Sequence, residues 1–418
     1  MKVVGTRKDV NSPHPNPLPQ GEGIKSRRTI TIFSPPAKMN FHRFCLFLAF
    51  WGAACDLFAL EYLSFRQNGQ VRQAEGRFVL EADDAVVFES RDGRIYKIDR
   101  TDLLEQKSDA LPFTPLSKKD VKLLLQEEFP KGFRIDEAAN FLIVSNTSQE
   151  FAQCFGRLFK KIDEEYTKYW KKLGVPLEQN DYPLVAIVLA DRADFIRYAT
   201  WDGVVVNDEL RAYYHQATNR MVMYDISEVE GSKRGQTGRA TTRSIQEFLR
   251  RPGAERNISA VVHETIHQIG FNRGMHQRFA PCPLWICEGL ALLHEVPDLG
   301  NRDGWTIKPK INVSRLLRLK AFLQRQPADP IRNLVLSDKL LKEGQVGTIL
   351  DNYALAWGLT YYFVEKRPKE FAAYLKRTAE KTMLSNDSPE IRLRDFEECF
   401  GNDWNKLYAD CVAFWAKL

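Results

Sequence analysis

Residues 254–270 read AERNISAVVHETIHQIG, and residues 283–295 read PLWICEGLALLHE. In the first stretch Ile258, Val262, Ile266 and Ile269 recur at helical spacing, which predicts an amphipathic helix with one stripe on a core. The neighbouring stripe carries Ser259, His263, His267 and Gly270. His263 and His267 are four apart, so both imidazoles leave one side of the helix and can share a cation. Glu264 points to the adjacent sector, where it can reach a metal-bound water without occupying the metal. The second stretch is apolar almost all round, which predicts a buried helix that starts near Pro283 and stops before Pro297. Glu288 is the one charge in its interior, and a buried carboxylate without a partner is costly. Two partners are open to it: a zinc ion held by His263 and His267, or an arginine such as Arg273 or Arg278. Gly289 and Ala291 are small enough to let the two helices approach.

An HExxH match is a modest signal alone, so the third ligand decides. A continuation HExxHxxGxxH would place a histidine where this chain has Arg273, and that arrangement fails although Gly270 fits. A glutamate from a second helix fits, because the 20 residues between His267 and Glu288 leave room for a turn and a loop. On these residues the chain resembles the peptidase MA-like, or gluzincin, group. The span from Phe133 to Leu418 resembles an uncharacterised bacterial domain-of-unknown-function family within it. The resemblance implies a zinc peptidase with His263, His267 and Glu288 as ligands and Glu264 as general base, acting on a peptide or protein substrate. It also implies an oxyanion donor. Tyr353 is the candidate, in Asn352-Tyr-Ala-Leu-Ala-Trp357, which is predicted to open a helix; the alternative for Tyr353 is an ordinary core or surface aromatic. His276 and His215 are competing donors. Many gluzincins place an acid four residues after the ligand glutamate to orient a zinc histidine. Here that position is Leu292, which leaves the orienting partner unassigned.

Upstream, Arg77–Leu80, Ala85–Phe88 and Arg94–Ile98 suit short strands, the last two joined by a turn at Arg91-Asp-Gly93. Residues 60–110 weakly resemble a small SH3-like β-barrel of the SLA1-homology type, and 111–131 read as a linker with Pro112, Pro115 and mixed charges. Residues 132–418 form the metallopeptidase-like unit. It begins at Phe133–Asp136, and its predicted elements are strands at Phe141–Val144 and Leu184–Leu189, helices at Phe151–Leu173 and Asp191–Tyr198, a hairpin over Ala212–Asp225, and a mostly helical half beyond Pro252. The hairpin around Tyr213 and Tyr224 resembles the edge strand along which gluzincins lay an extended peptide. The expected class is therefore α+β, with a mixed sheet in the second unit.

The net charge of +6 carries no nucleic-acid inference, because residues 1–38 hold seven Lys/Arg against Asp9 and Glu22. Residues 39–59 are neutral overall, which leaves +1 for the rest. The Pro/Gly-rich tail fits no helix or strand and reads as a mis-called start or a disordered segment, with Met39 the expected true start. Residues 39–59 then have signal-peptide grammar: a short basic region, an apolar run from Phe44 to Ala54, and Leu57 and Ala59 before a cleavage site. Export to the periplasm, cell surface or medium is expected. Lipid attachment at Cys55 is the alternative. About a dozen apolar residues are too few for a stable membrane span. Beyond Ala59 five cysteines remain; export would permit Cys282 to pair with Cys287, or Cys399 with Cys411, and five buried thiols is the alternative. The rival functions are a zinc-binding structural or interaction protein without turnover, and a hydrolase of a non-peptide amide.

Overall fold

A computed structural model describes residues 59–67, 69–227, 245, 247, 248, 253–298 and 305–418. The expected tail, signal peptide and Cys55 lipid site lie outside these residues. The fold is mixed α+β, with two sheets, a strand-rich N-terminal region and a helical C-terminal half.

The first sheet has five antiparallel strands in the order β4-β3-β2-β1-β5: β1 Ala59–Gln67, β2 Gln70–Glu81, β3 Ala85–Ser90, β4 Ile95–Asp99 and β5 Leu103–Pro112. Alternation along β1 and β3 turns Leu63, Phe65, Val86 and Phe88 onto one small core with Ile98. Gly76 is required where β2 meets β3, since a Cβ there would lie 2.1 Å from the Glu89 carbonyl oxygen. The expected linker contains regular elements. Its beginning belongs to β5, and Lys118–Glu128 form helix α1, whose N-terminal amide of Asp120 is capped by Ser117. β5 was hidden because it is a largely exposed strand without apolar alternation, and α1 because it buries only Val121 and Leu125.

The second sheet runs β6-β7-β8-β10-β9, with β6 Arg134–Ala138, β7 Phe141–Ser145, β8 Leu184–Leu189, β9 Ala212–His215 and β10 Arg220–Tyr224. Its three central strands are mutually parallel, and an antiparallel strand closes each edge. β7, β8 and β10 are buried along their whole length, as strands covered on both faces must be. Helices α2 (Gln149–Lys172) and α3 (Arg192–Trp201) make the crossovers into β8 and the β9–β10 hairpin. The hairpin turns at Asn219, which takes the left-handed φ of 57° that asparagine tolerates. The helical half comprises α4 (Ala254–Asn272), α5 (Leu284–His294), α6 (Val313–Gln324), α7 (Pro330–Leu336), α8 (Lys339–Lys342), α9 (Val346–Lys366), α10 (Pro368–Ala379), α11 (Pro389–Phe400) and α12 (Trp404–Ala416). Among the described residues no helix is long and apolar enough to cross a membrane.

The two sheets are joined by specific contacts. Ile95 of β4 donates its amide to the Ala217 carbonyl in the hairpin turn at 2.7 Å. Glu128, at the end of α1, takes a two-pronged bond from the buried Arg220 of β10 at 2.6 and 2.7 Å and a further one from Arg94. These cations hold the Glu128 carboxyl at about 2, against a burial that alone would raise it.

Candidate metal centre

Helix α4 lies against the second sheet and buries Ile258, Val262, Ile266 and Ile269 as its spacing requires. Gln268 locks its rotation: the buried amide donates to the Val185 and Asn219 carbonyls, each at 3.0 Å. With that rotation fixed, Glu264 meets the outer edge of β9, where its Oε2 accepts the Tyr214 amide at 2.9 Å. His263 and His267 face α5. The orientation of α5 is fixed from the C-terminal half, because the Leu284 amide donates at 2.9 Å to Asp338, itself paired with Arg392.

These two helices bring His263, His267 and Glu288 together, with one ligand atom of each within 4.8 Å of the others. His263 Nε2 lies 3.1 Å from His267 Nε2 and 3.2 Å from Glu288 Oε2, and His267 Nε2 lies 3.7 Å from Glu288 Oε1. Ligands about 2.0–2.1 Å from a tetrahedral zinc are about 3.3–3.4 Å apart, so the triangle matches the edges such an ion imposes. Two imidazole lone pairs aimed at one point also need something positive between them. The donor set fits zinc: two nitrogens and one carboxylate with a position left open.

Protonation follows the same geometry. Burial by itself lowers the pKa of His263, yet its hydrogen bonds to Glu288 and Glu295 raise it to about 10. His267 is pushed down to about 3 by burial, and Glu288 is lowered because its histidine partners outweigh its desolvation. Without a cation the cluster keeps one proton, on His263.

Glu295 is the residue the sequence reading missed. Its Oε2 lies 2.9 Å from His263 Nδ1, which favours a proton on Nδ1 and aims Nε2 at His267 and Glu288. Its Oε1 accepts from Arg315 Nε and Nη2, both at 3.2 Å, and from Asn312 at 3.1 Å. The orienting acid therefore exists seven residues after Glu288 instead of four.

The arginine alternative for Glu288 has no support in these contacts: Arg273 pairs with Asp163 at 2.7 Å, and Arg278 donates to the Gly93 and Gln216 carbonyls. Gly289 does not serve the approach expected of it. A Cβ there would lie 2.1 Å from Thr360 Oγ1, so the glycine admits α9, not α4. Tyr353 sits inside α9, seven residues past its start, and opens no helix. It is buried, with the Arg315 guanidinium 5.9 Å from its ring centroid. His215 accepts the Thr218 amide at 3.2 Å within the hairpin, and His276 Nδ1 faces Cys282 Sγ at 3.3 Å. A cavity of about 1380 Å³ lies between the first sheet, α1 and α3, and none of these residues lines it.

A family model described as "Protein of unknown function (DUF1570)" matches residues 257–385. The match spans both histidines, Glu264, Glu288, Glu295 and Tyr353, and it names no activity. No curated protein matches the chain.

Proposed function

We propose that the chain is an exported zinc-dependent peptidase of gluzincin type, with an SH3-like N-terminal barrel seated on its substrate-edge hairpin. The observation that carries the reading is the convergence of His263, His267 and Glu288 beside a second carboxylate on the same helix as the histidines, Glu264, which accepts the Tyr214 amide. A zinc ion held by the first three would polarise a carbonyl and lower the pKa of a water in the open position. Glu264 takes the proton of the attacking water and returns it to the leaving nitrogen. Its bond to Tyr214 orients the carboxylate for both transfers. The outer edge of β9 offers backbone groups for an extended peptide, which would lie alongside Glu264. Glu295 holds His263 in the ligating tautomer, and Arg315 and Asn312 hold Glu295. Tyr353 is the proposed oxyanion donor, placed by α9 next to Arg315.

The test is zinc content together with a digest of a diverse peptide library by the wild-type chain and by Glu264→Gln. About one zinc per chain, with cleavage lost only in the variant, supports the reading. One observation favours the rival, a zinc-binding scaffold without turnover: the Tyr214 bond also suits a Glu264 whose task is to anchor β9. Zinc binding without cleavage of any library member would establish that rival.

A further inference from the structure

A second cluster lies at the start of α5, outside the proposed centre. Cys282 precedes Pro283, and Cys287 is in the first turn of the helix, directly before Glu288. Their Sγ atoms are 2.7 Å apart, and His276 Nδ1 is 3.3 Å from Cys282 Sγ. The three donor atoms lie within 4.8 Å of one another, so a soft metal ion is one conceivable occupant. The sulfur spacing disfavours it. Two thiolates on a tetrahedral zinc stand about 3.8 Å apart, whereas a covalent S–S bond is about 2.05 Å, and 2.7 Å is nearer the bond.

The two sulfurs also differ in their surroundings. Cys282 is partly exposed, and Cys287 is buried. Burial would raise both thiols; the hydrogen bond to Cys287 and the neighbouring His276 lower Cys282 against it, while Cys287 stays raised. A sulfur on a partly exposed residue, next to an imidazole and backed by a buried sulfur in contact, is the arrangement of an attacking and a resolving cysteine.

We propose that Cys282 and Cys287 form a reversible disulfide and constitute a thiol–disulfide exchange site whose substrates are small-molecule disulfides and thiols. In the oxidising direction the Cys282 thiolate attacks one sulfur of a small disulfide, forms a mixed disulfide and expels one thiolate. The Cys287 thiol then gives up its proton, attacks Cys282 Sγ and expels the second thiol. The pair loses two electrons and two protons, and the small disulfide becomes two thiols. The product bond staples the segment before Pro283 to the first turn of the helix that carries Glu288.

The native chain is incubated with oxidised glutathione, unfolded in acid, and weighed intact before and after a dithiol reductant. A loss of about 2 mass units that the reductant reverses, with one proteolytic peptide pair linking Cys282 to Cys287, is the expected result. Cys287→Ser should stall as a stable glutathione adduct on Cys282, and Cys282→Ser should form no adduct at Cys287. Because the readout is the mass of the unfolded chain, it needs no hydrolytic activity at His263, His267 and Glu288. The proposal is overturned if both thiols stay open to alkylation after oxidation, if they resist alkylation only until a chelator is added, or if Cys282 keeps its adduct in the wild-type chain.

Discussion

Replacing Glu295 by glutamine tests the least anticipated part of the site. The carboxylate takes three donors on Oε1, from Arg315 Nε, Arg315 Nη2 and Asn312, and faces His263 Nδ1 through Oε2 at 2.9 Å. An amide has one acceptor oxygen. It will be turned toward the three donors, because the Arg315 side chain is 1% exposed and its charge cannot be left facing an NH2 group. The amide NH2 then points at His263 Nδ1, which must accept instead of donate. Wild-type His263 can shed its Nε2 proton on binding and keep the one on Nδ1, whereas the variant ring is left with its proton on Nε2, the atom that would bind zinc, and binding must reverse that tautomer. Loss of such an orienting partner costs about 10- to 100-fold in metal affinity, about 1.4–2.7 kcal/mol. Competition against a chromophoric zinc chelator reads the loss directly; the melting temperature of the metal-free variant should fall too, because Arg315 loses its counter-charge, but less than in Glu295→Ala, where the donors lose their acceptor as well. Glu295→Ala should behave differently, destabilising the fold by about 3–5 kcal/mol because Arg315 is left as an unpaired buried charge. A Glu295→Gln chain that binds zinc as tightly as wild type would refute the tautomer argument.

Three further outcomes are expected. Glu264→Gln should keep zinc and fold while hydrolysis of any peptide substrate drops about 10²- to 10⁴-fold, read as kcat/KM on the best library hit. In chelator, melting temperature against pH should peak near the ordinary imidazole pKa of about 6.5. His263, raised to about 10, adds stability that is complete below about 6.5 and lost as pH climbs through 10; His267, lowered to about 3, adds stability present above about 6.5 and lost as pH falls toward 3. A melting curve flat from pH 4 to 10 would contradict both assignments. Gly289→Ala should cost about 1–3 kcal/mol in denaturant unfolding, since its Cβ would meet Thr360 Oγ1 at 2.1 Å and the Ala356 carbonyl at 3.2 Å; an unchanged midpoint would mean α9 yields without cost.

The elements legible in the sequence are those whose burial shows as a local apolar pattern, whether a stripe or a continuous run. α4 and α5 were bounded to within two residues because their apolar stripes end at turn-forming residues, and β7, β8 and β10 stood out as short continuous apolar runs. β5 and α1 were illegible for the opposite reason: they bury little, and what fixes them is pairing to β1 and the ion pairs of Glu128, which no local pattern reports. Long-range contacts also decided the fates of Arg273, Arg278 and Gly289. Arg273 and Arg278 were read against Glu288 and Gly289 against α4, yet the arginines pair with Asp163 and the Gly93 carbonyl, and Gly289 packs against Thr360.

Glu295 is a different case, because a signal for it was present. A helix advances about 100° per residue, so a position four after Glu288 is rotated about 40° from it, whereas a position seven after is within about 20° and lies about 10.5 Å along the axis. Either offset keeps an acid on the face that meets α4. What separates them is where the imidazole of His263 sits between the two carboxylates: with Nε2 3.2 Å from Glu288 and Nδ1 2.9 Å from Glu295, the ring spans two helical turns. An acid at the C-terminal end of a helix faces the negative end of the dipole and is disfavoured there. In this chain the cost is offset by Arg315 from α6, in which the same Glu295 oxygen receives two guanidinium bonds. The seven-residue offset therefore requires the arginine, and the pair Glu295–Arg315 acts as one orienting unit. Exchange of Arg315 for methionine should accordingly weaken zinc binding through a residue that touches no ligand, by about the same 10- to 100-fold as Glu295→Gln, and the double variant Glu295→Gln with Arg315→Met should be no weaker than either single one. Additive losses in the double variant would show that Arg315 acts on the fold alone, and the unit would have to be abandoned.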